Sequence, residues 1–358
     1  MTLPYRPSKA LVIGLCVSSA LAVIVLVLLL LSGGPVGFAV SALLAVAPLP
    51  VLLAAVLSLD RLEPEPKLNL AFSFAWGAGV AIVLGVVLTL AGQALFARAG
   101  LGEQAVDDAG TVFLAPVIEE ALKGSALLLL LFRRREIDGL TDGIVYAALA
   151  GLGFAAVENV GYYLGAFGED GVGGAVGLFV LRGLIDPLGH SIYTSMTGIG
   201  VAYALTRRGP FRFAAVPLGY LGAVILHALW NGAATTQSLP VLGGAYLVIM
   251  AVLAGLVVVT VAERRRLLGK VAAYLPGYQP TGLVTPQDVA MLGTPAGRRQ
   301  ALRWARGAGL GKAMGDYQQA ATELTLLHLR AEREGADPRR FAADRDALLY
   351  VMAGARRW

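Results

Sequence analysis

Ionisable side chains and cysteine are scarce in this sequence of 358 residues. Only 15% of the residues are charged, compared with about a quarter in soluble globular domains. Hydrophobic residues make up 57%, and the mean hydropathy is +0.70. This composition excludes an ordinary soluble domain. The single cysteine, Cys16, excludes an intrachain disulfide framework and a zinc site built from several cysteines, and its apolar surroundings indicate a packing role.

Long apolar runs dominate the sequence up to residue 263, and each is about as long as a helix that crosses a bilayer. The first run follows two basic residues, as in a signal peptide. It is longer than the usual apolar core of about 7–15 residues and lacks a convincing cleavage site, so we expect it to be retained. The predicted fold class is an all-α, polytopic membrane helix bundle with a small helical tail. We predict about eight spans, at 10–32, 36–58, 68–98, 111–132, 140–165, 176–206, 213–235 and 240–262.

Basic residues fall on alternate connections between these runs, which sets the expected orientation. Cytoplasmic loops of membrane proteins carry an excess of Lys and Arg. The intervening connections are neutral or acidic and have only Arg98 nearby. We therefore predict that both termini are cytoplasmic. The basic residues on that side are Arg6, Lys9, Arg61, Lys67, Arg133 to Arg135, Arg207, Arg208, Arg212 and Arg264 to Arg266.

The sequence beyond residue 263 has a different composition. Residues 264–358 contain 16 Lys and Arg against 8 Asp and Glu, whereas residues 1–263 contain 13 against 16. We predict a transmembrane domain over 1–263 and a basic, mainly helical cytoplasmic domain over 264–358. Its helices are expected at 296–314, 316–334 and 339–353. The basic charge suits anionic membrane lipid headgroups; a solvated appendage is the alternative, and we expect no nucleic-acid partner.

Six of the ionisable residues within the apolar runs lie at a similar depth, where charge is expensive. An unpaired charge in a bilayer costs a few kcal/mol or more, so such residues are candidate functional groups. At about 1.5 Å per helical residue, they lie roughly 10–18 Å from the outer ends of their spans. Carboxylates and imidazoles at one depth in four spans predict a shared, water-accessible cavity. The six residues are Glu119, Glu120, Lys123, Glu158, His190 and His227.

Helical spacing groups these residues further. Lys123 follows Glu119 by four residues and Glu120 by three, so its ammonium can neutralise one carboxylate of the pair. Asn231 follows His227 by four and shares its helical face, where its amide can orient the imidazole or bind substrate. The alternative for the glutamates and lysine is a charge-balanced group that holds helices together. For each histidine alone, the alternative is an interhelical hydrogen bond.

The sixth predicted span carries a polar ladder. Arg182, Asp186 and His190 are spaced four apart and are expected to share one helical face. We expect Arg182 to pair with Asp186, and Asp186 to orient His190 as carboxylates often orient a working imidazole. Pro187 is expected to kink this helix near the cavity.

Four motifs resemble those of the PrsW family of bacterial intramembrane proteases. The second motif is the most specific, because it is long and ends in GLGFAAVEN. The related CAAX prenyl proteases and bacteriocin-processing enzymes have a histidine where this sequence has Glu158. The resemblance covers the motif core at 111–232 and leaves out the first three spans and the tail. The motifs are EEALK at 119–123, DGLTDGIVYAALAGLGFAAVEN at 138–159, RGLIDPLGH at 182–190 and HALWN at 227–231.

The resemblance implies hydrolysis of a peptide bond within or just outside the membrane. It further implies an integral protein of the bacterial cytoplasmic membrane whose substrate is a membrane-anchored protein, such as an anti-sigma factor, cut near the extracytoplasmic face. The candidate catalytic residues are Glu119, Glu120, Lys123, Glu158, His190, His227 and Asn231.

Water is the expected attacking group. The sequence has no HExxH, GxSG or GxGD motif, and nothing supports a serine or cysteine nucleophile. Glu119 is the expected general base, with Glu120 and Lys123 tuning its charge.

The roles of the histidines leave two mechanisms open. In one, His190 and His227 polarise the scissile carbonyl while Asn231 supports the oxyanion. In the other, His190, His227 and Glu158 form a zinc site with one open position. PrsW proteins are often labelled metalloproteases, but no short spacing such as HExxH preorganises a metal site in this sequence.

Two functions of other classes also fit buried charge. An ion-coupled transporter uses intramembrane Glu, His and Lys as ion sites or proton relays, but the sequence shows no inverted repeat or paired broken helices. A catalytically inactive membrane scaffold is the third interpretation. The presence of every polar position of the four motifs argues against it.

Overall fold

The computed structural model describes residues 7–62, 64–131, 137–335 and 337–356, which form helices and no strand. The all-α prediction is therefore confirmed. Arg6 and the basic triplet Arg133 to Arg135 lie outside the described residues. The helices are α1 Lys9–Val46, α2 Leu49–Leu59, α3 Lys67–Trp76, α4 Ile82–Arg98, α5 Glu103–Ala109, α6 Ala115–Leu131, α7 Leu140–Phe179, α8 Gly189–Thr206, α9 Phe211–Thr235, α10 Leu239–Tyr274, α11 Pro286–Leu292, α12 Pro295–Gly307, α13 Gly311–Glu334 and α14 Pro338–Ala355.

Five helical segments among the described residues are long and apolar enough to cross a membrane. Two of them, Lys9–Leu59 and Leu140–Thr206, each cover two of the eight predicted spans. The predicted span at 111–132 falls on α6, which has 17 residues, and on the wide turn before it. The helical membrane bundle is thus confirmed, whereas the number of eight spans stays a prediction.

Two long helices are interrupted where the sequence predicts loops. In α1 the backbone leaves helical geometry at Gly34, whose φ of 71° favours glycine, and Pro35 follows. In α7 the interruption lies at Asp170 and Gly171, and Gly171 has a φ of 62°. Each of these elements is therefore two helices joined by a break that depends on a glycine.

The first part of α7 is the centre of the membrane unit, which comprises residues 7–60 and 65–258. Every residue from 142 to 155 is buried, as expected of a helix that is apolar on all sides. A Cβ atom at Gly77 would lie 1.9 Å from the Ala150 carbonyl oxygen, and one at Gly153 would lie 2.0 Å from that of Phe74. Glycine permits this direct backbone contact, as is common between membrane helices.

The predicted sixth span is two elements rather than one helix. A π-helical turn covers Val180–Ile185, Asp186 then leaves helical geometry, and α8 begins at Gly189. Pro187 lies in this break and has no backbone N–H with which to continue the helix. The expected kink is therefore a complete interruption, and the polar ladder does not form one continuous face.

The second unit comprises residues 61–64 and the chain from 259 onward, and it has a core of its own. The predicted boundary at 263 lies inside α10, which continues without interruption to Tyr274. Thr285 and Asp337 cap the starts of α11 and α14, as their positions before proline predict. The core residues include Val271, Leu275, Leu292, Tyr317, Leu324 and Met352.

One predicted tail helix is wrong in its extent. The sequence predicts a helix over 296–314, but α12 ends at Gly307 and α13 begins at Gly311. Gly309 has a φ of 75° in the connection, a conformation that ends a helix readily when the residue is glycine.

Candidate active site

Helices α6, α7, α8 and α9 contribute ionisable side chains to one buried cluster. The α6 residues Glu119, Glu120 and Lys123 face the histidines of α8 and α9, and Glu158 of α7 contacts the α8 histidine. The structure thus brings together six of the seven predicted site residues from four separate helices. The six are Glu119, Glu120, Lys123, Glu158, His190 and His227.

Lys123 lies at the centre of the cluster. Its side chain is fully buried, and Nζ lies 2.6 Å from Glu120 Oε1 and 3.6 Å from Glu119 Oε2. The same ammonium lies 3.0 Å from His190 Nδ1 and 4.2 Å from the centroid of the Phe154 ring, which is within range of a cation–π contact. One buried ammonium therefore compensates two carboxylates, as the spacing on α6 predicts.

The two adjacent glutamates have different surroundings. Glu120 is fully buried, and its Oε1 accepts hydrogen bonds from Lys123 and His227. Its Oε2 accepts from the Thr194 hydroxyl at 2.8 Å. The Glu119 side chain keeps 12% of its surface exposed, and its buried Oε2 has no hydrogen-bond partner. Glu120 is held through both oxygens, whereas Glu119 retains a free acceptor.

The Nε2 atom of His227 faces the Glu119 oxygen that has no hydrogen-bond partner. Its Nδ1 lies 3.0 Å from Glu120 Oε1, and we assign the hydrogen to Nδ1 because a carboxylate only accepts. In the neutral ring Nε2 then carries the lone pair, and it lies 3.9 Å from Glu119 Oε2. The space between Nε2 and Oε2 is therefore bounded by two acceptors.

His190 uses both of its ring nitrogens. The Lys123 ammonium can only donate, so Nδ1 accepts at 3.0 Å and Nε2 donates to Glu158 Oε2 at 3.0 Å. Glu158 also accepts a short hydrogen bond from Arg182. The guanidinium donates in addition to Asn159 Oδ1 at 2.8 Å. Glu158 is thus the carboxylate that orients His190.

The expected roles of Asp186 are wrong. Arg182 pairs with Glu158 instead, because the interruption after residue 185 separates Asp186 from the face that carries Arg182. Asp186 Oδ2 accepts a hydrogen bond from the Tyr193 hydroxyl at 3.3 Å, and its Oδ1 is buried without a partner.

Aromatic rings enclose the two histidines. The His190 and His227 rings meet edge to face at 4.9 Å, and Tyr193 stacks on His227 at 5.3 Å. Phe154 lies 5.1 Å from His190. A Cβ atom at Gly151 would lie 2.4 Å from the His190 carbonyl oxygen, so glycine is needed for α7 to approach this close. The rings fix both imidazoles in place and leave little room around them.

Asn231 occupies a different part of the site. Its Nδ2 donates to the carbonyl oxygen of Thr111 at 2.9 Å, in an exposed contact. Thr111 belongs to the π-helical turn Gly110–Leu114, which immediately precedes α6. Asn231 therefore joins α9 to the turn before the helix that carries the glutamates, and its hydrogen bond goes to Thr111 rather than to His227.

Three ligand atoms lie close enough together to bind one metal ion. They belong to Glu119, His190 and His227, and all lie within 4.8 Å of one another. The predicted set has Glu158 where this group has Glu119. Two histidines and one carboxylate suit zinc, and the unpartnered oxygen of Glu119 and the lone pair of His227 fit this use. His190 would have to give up one of its two ring contacts.

Comparison with known proteins agrees with this geometry. A sequence model described as PrsW family intramembrane metalloprotease matches residues 65–260, more than half of the chain. The chain belongs to this family. Protease PrsW of Oceanobacillus iheyensis is 27% identical over 119 residues, which cover 33% of this chain and 51% of that protein. The chain thus spans about half the length of this curated relative, and no solved structure matches it.

Sequence reasoning missed two residues that support this PrsW-type cluster. Thr194 holds Glu120, and Tyr193 stacks on His227 while bonding Asp186. Thr194 follows His190 by four residues on α8, so helical spacing could have indicated it. Nothing in the sequence separates Tyr193 from an ordinary core tyrosine, because its role depends on the approach of α9.

Proposed function

We propose that this chain is an intramembrane endopeptidase that hydrolyses a peptide bond of a membrane-anchored protein. The observation that carries the proposal is the buried cluster, in which the free oxygen of Glu119 faces the lone pair of His227 at 3.9 Å. Ionisable groups are rare in membrane helices and mark functional sites. A family described as metalloproteases supports the same reaction class.

Glu119 is the group best suited to take a proton from water. Its Oε2 has no hydrogen-bond partner, whereas both oxygens of Glu120 are occupied. In the proposed reaction, water attacks the scissile carbonyl carbon while its proton passes to Glu119. The tetrahedral intermediate then collapses, and Glu119 gives the proton to the departing amine as the C–N bond breaks.

The negative oxygen of the intermediate needs hydrogen-bond donors. The site offers the Lys123 ammonium, which bonds Glu120 and His190 and has a third hydrogen left, and the side-chain amide of Asn231. One amide hydrogen of Asn231 is bonded to Thr111, so the other is available to substrate. Glu120 and Glu158 have a supporting task, since each holds one histidine in a fixed orientation.

A metal ion is compatible with the same residues. Glu119, His190 and His227 would hold it, and zinc at such a site polarises a carbonyl and makes a bound water more acidic. Glu120 would support His227 through Nδ1, as carboxylates commonly support zinc-binding histidines. Whether zinc or Glu119 alone activates water is decided by the metal experiment described in the Discussion.

The family and the arrangement of charge support a proposal for the substrate and the location. A membrane-anchored protein cut on its extracytoplasmic side, such as an anti-sigma factor, is the substrate class we propose. The chain would lie in a bacterial cytoplasmic membrane with both termini cytoplasmic, in line with its basic alternate loops. The basic tail would then face anionic lipid headgroups on the cytoplasmic side.

Proteomics of material released from cells tests the proposal. Cells producing the wild type should release the extracytoplasmic domains of one or a few single-span proteins, and cells producing Glu119→Gln should not. Glu103→Gln, which changes an exposed carboxylate outside the cluster, is the matched control and should behave as wild type. Equal release by wild type and Glu119→Gln would contradict the proposal. Accumulation of a solute in vesicles, without cleavage, would favour the transporter.

A further inference from the structure

A small cavity adjoins the cluster at His190. It lies between α7, α8 and α9 and has a volume of about 20 Å³ for water-sized molecules, and the break before α8 forms part of its wall. His190 is common to both places, since it lines the cavity and bonds Lys123 and Glu158. The other wall residues that matter are polar Asn159, Arg182 and Asp186 and apolar Ala155, Pro187 and Trp230.

Asp186 leaves an unsatisfied acceptor at this cavity. The Tyr193 hydroxyl occupies Oδ2, but Oδ1 is buried and has no hydrogen-bond partner among the described residues. A buried polar atom without a hydrogen-bond partner destabilises the folded protein. Such atoms in folded proteins are commonly satisfied by ordered water. We therefore expect a small hydrogen-bond donor beside Asp186 Oδ1.

The size of the cavity decides which donor fits. Its centre has room for about one or two water molecules. A substrate side chain larger than a methyl group would have to displace the walls, whereas water fits as they stand. Water also needs two to four polar partners, and the side chains of Asp186, Asn159 and Arg182 in the wall can provide them.

The backbone at the break before α8 also indicates a hydrated cavity. Non-helical backbone at membrane depth occurs where it is buried in protein or lines a water-filled cavity. The interruption at Asp186–Leu188 lies between two helical segments of an otherwise apolar stretch. Gly189 keeps this wall in place, because a Cβ atom there would lie 2.3 Å from Asp186 Oδ2.

We propose that this cavity is a hydration site that supplies the water consumed at Glu119, with Asp186 as its anchor. The proposal rests on the proposed hydrolysis, which uses one water for each peptide bond cleaved. The water oxygen bonds to the carbonyl carbon, and its protons end on the new carboxyl group and the new amine. Water held beside His190 would lie next to the cluster and be available for each cycle of hydrolysis.

Hydroxyl-radical footprinting of the full chain in lipid nanodiscs tests hydration without depending on activity. Radicals formed from bound water oxidise the side chains beside it. Trp230 is 6% exposed and lines the cavity, so it should be oxidised faster than the more exposed Trp76, which lies elsewhere. Exposed Trp304 serves as an internal reference. Protection of Trp230 to the level of the apolar core would overturn the proposal.

Filling the cavity tests the supply of water to the reaction. Ala155→Val and Ala155→Leu add graded bulk at a wall that bonds no reacting group, and Ala156→Leu adds the same bulk at the next residue, outside the cavity. For the Ala155 variants we expect Trp230 oxidation to fall and kcat to fall about 10- to 100-fold, because the attacking water is lost or misplaced. We expect KM and the cleavage site to stay unchanged, and Ala156→Leu to behave as wild type.

The outcomes separate this proposal from its premise. A rise in KM or a changed cleavage site in Ala155→Leu would make the cavity a substrate subsite and overturn the hydration role. If no substrate of the wild type is found, the proposed hydrolysis fails, while footprinting still decides whether the cavity holds water. Ala155→Leu could fail to fold, which its melting temperature would show. In that case Ala155→Val and the ratio of Trp230 to Trp76 oxidation in the wild type decide whether the cavity holds water.

Discussion

The membrane unit and the tail unit bury charge in opposite ways. In the membrane unit, Lys123 is fully buried between two carboxylates and an imidazole. In the tail unit, Arg298 is 7% exposed and has no carboxylate partner among the described residues. Its guanidinium donates instead to the Thr322 hydroxyl at 3.1 Å and to the Gln318 carbonyl at 3.0 Å. This burial lowers the pKa of Arg298 to about 10.

The two sites differ in whether a buried polar atom remains without a hydrogen-bond partner. Gln318 returns a hydrogen bond to the Arg298 carbonyl at 3.0 Å, so the contact is reciprocal and complete. In the membrane unit, Glu119 Oε2 remains without a hydrogen-bond partner after the contacts of Lys123 are made. A buried charge whose hydrogen bonds are made indicates a structural role. A buried carboxylate oxygen without a hydrogen bond indicates a site for a substrate, water or a metal.

The largest expected effect distinguishes the two glutamates. Glu119→Gln should lower the cleavage rate about 10²- to 10⁴-fold, because the amide keeps the shape but cannot act as a base. Its stability should stay close to wild type, since Oε2 gives up no hydrogen bond. Glu120→Gln should instead lower the melting temperature, because it weakens the contacts to Lys123 and His227. Rates with a single-span substrate and thermal melts in detergent measure both effects. Wild-type turnover by Glu119→Gln would transfer the role of base to Glu120.

Removing the ammonium of Lys123 should have the next largest effect, which is a loss of folding stability. Lys123→Met leaves two buried carboxylates without their counter-ion, and breaking a buried ion pair in this way costs about 3–5 kcal/mol. We expect a large fall in the melting temperature, or little folded protein. Met preserves most of the side-chain volume, so the loss reports charge rather than packing. An unchanged melting temperature would show that the carboxylates do not need the ammonium.

Metal removal separates the two open mechanisms. A zinc site at Glu119, His190 and His227 predicts one zinc per chain in the purified wild type and none in His227→Ala. Glu120→Gln, which alters the carboxylate behind His227, should then weaken zinc binding about 10- to 100-fold. Elemental analysis and cleavage assays after prolonged chelation provide the measurement. A metal-free wild type that still cleaves would leave Glu119 as the group that activates water.

Substitution of Arg298 should destabilise the protein much less than substitution of Lys123. Arg298→Met removes a buried cation whose partners are neutral, and Thr322 keeps its own hydrogen bond to the Gln318 carbonyl at 2.9 Å. We expect the free energy of unfolding to fall by about 1–2 kcal/mol, which is the range of one or two hydrogen bonds. Thermal melts of the full chain beside Arg299→Met, an exposed neighbour on α12, measure the difference. A loss as large as that of Lys123→Met would remove the contrast between the two units.

The smallest expected effect is a pH dependence in the tail. His328 is half-buried beside Tyr278, whose hydroxyl lies 2.6 Å from its Nε2, and burial lowers the pKa of His328. The folded state thus favours the neutral ring. Its stabilisation is present above pH ~6.5, the usual histidine pKa, and is lost as pH falls towards the lower folded-state pKa. Melts from pH 7.5 to 5 should show a shallower decline in His328→Phe than in wild type. Parallel curves would contradict this assignment.

The contacts within α6 could be predicted from the sequence because they depend only on helical spacing. Glu119, Glu120 and Lys123 meet through the i,i+3 and i,i+4 rule, and the structure retains both contacts. The contact of Glu120 with His227 could not be predicted in the same way. It spans 107 positions and depends on how α6 and α9 pack.

The wrong predictions share one physical cause, which is interrupted helical periodicity. The ladder of Arg182, Asp186 and His190 assumes one helix, but the π-helical turn and the break at Pro187 change which side chains share a face. Gly309 interrupts the predicted tail helix in a similar way. Spacing rules hold only within an unbroken helix, and glycine and proline mark the places where they fail.

The π-helical turn before α6 also sets the direction in which the glutamates of that helix face. A wide turn of this kind holds one residue more than an α-helical turn, and so it turns everything after it by about 100° relative to what precedes it. The carbonyl of Thr111 within it is met by the amide of Asn231 from another helix. The direction in which Glu119 faces therefore depends on the number of residues in this turn, and Asn231 holds the turn from α9. Removal of one residue from the turn would rotate the glutamates by about 100° about the axis of α6.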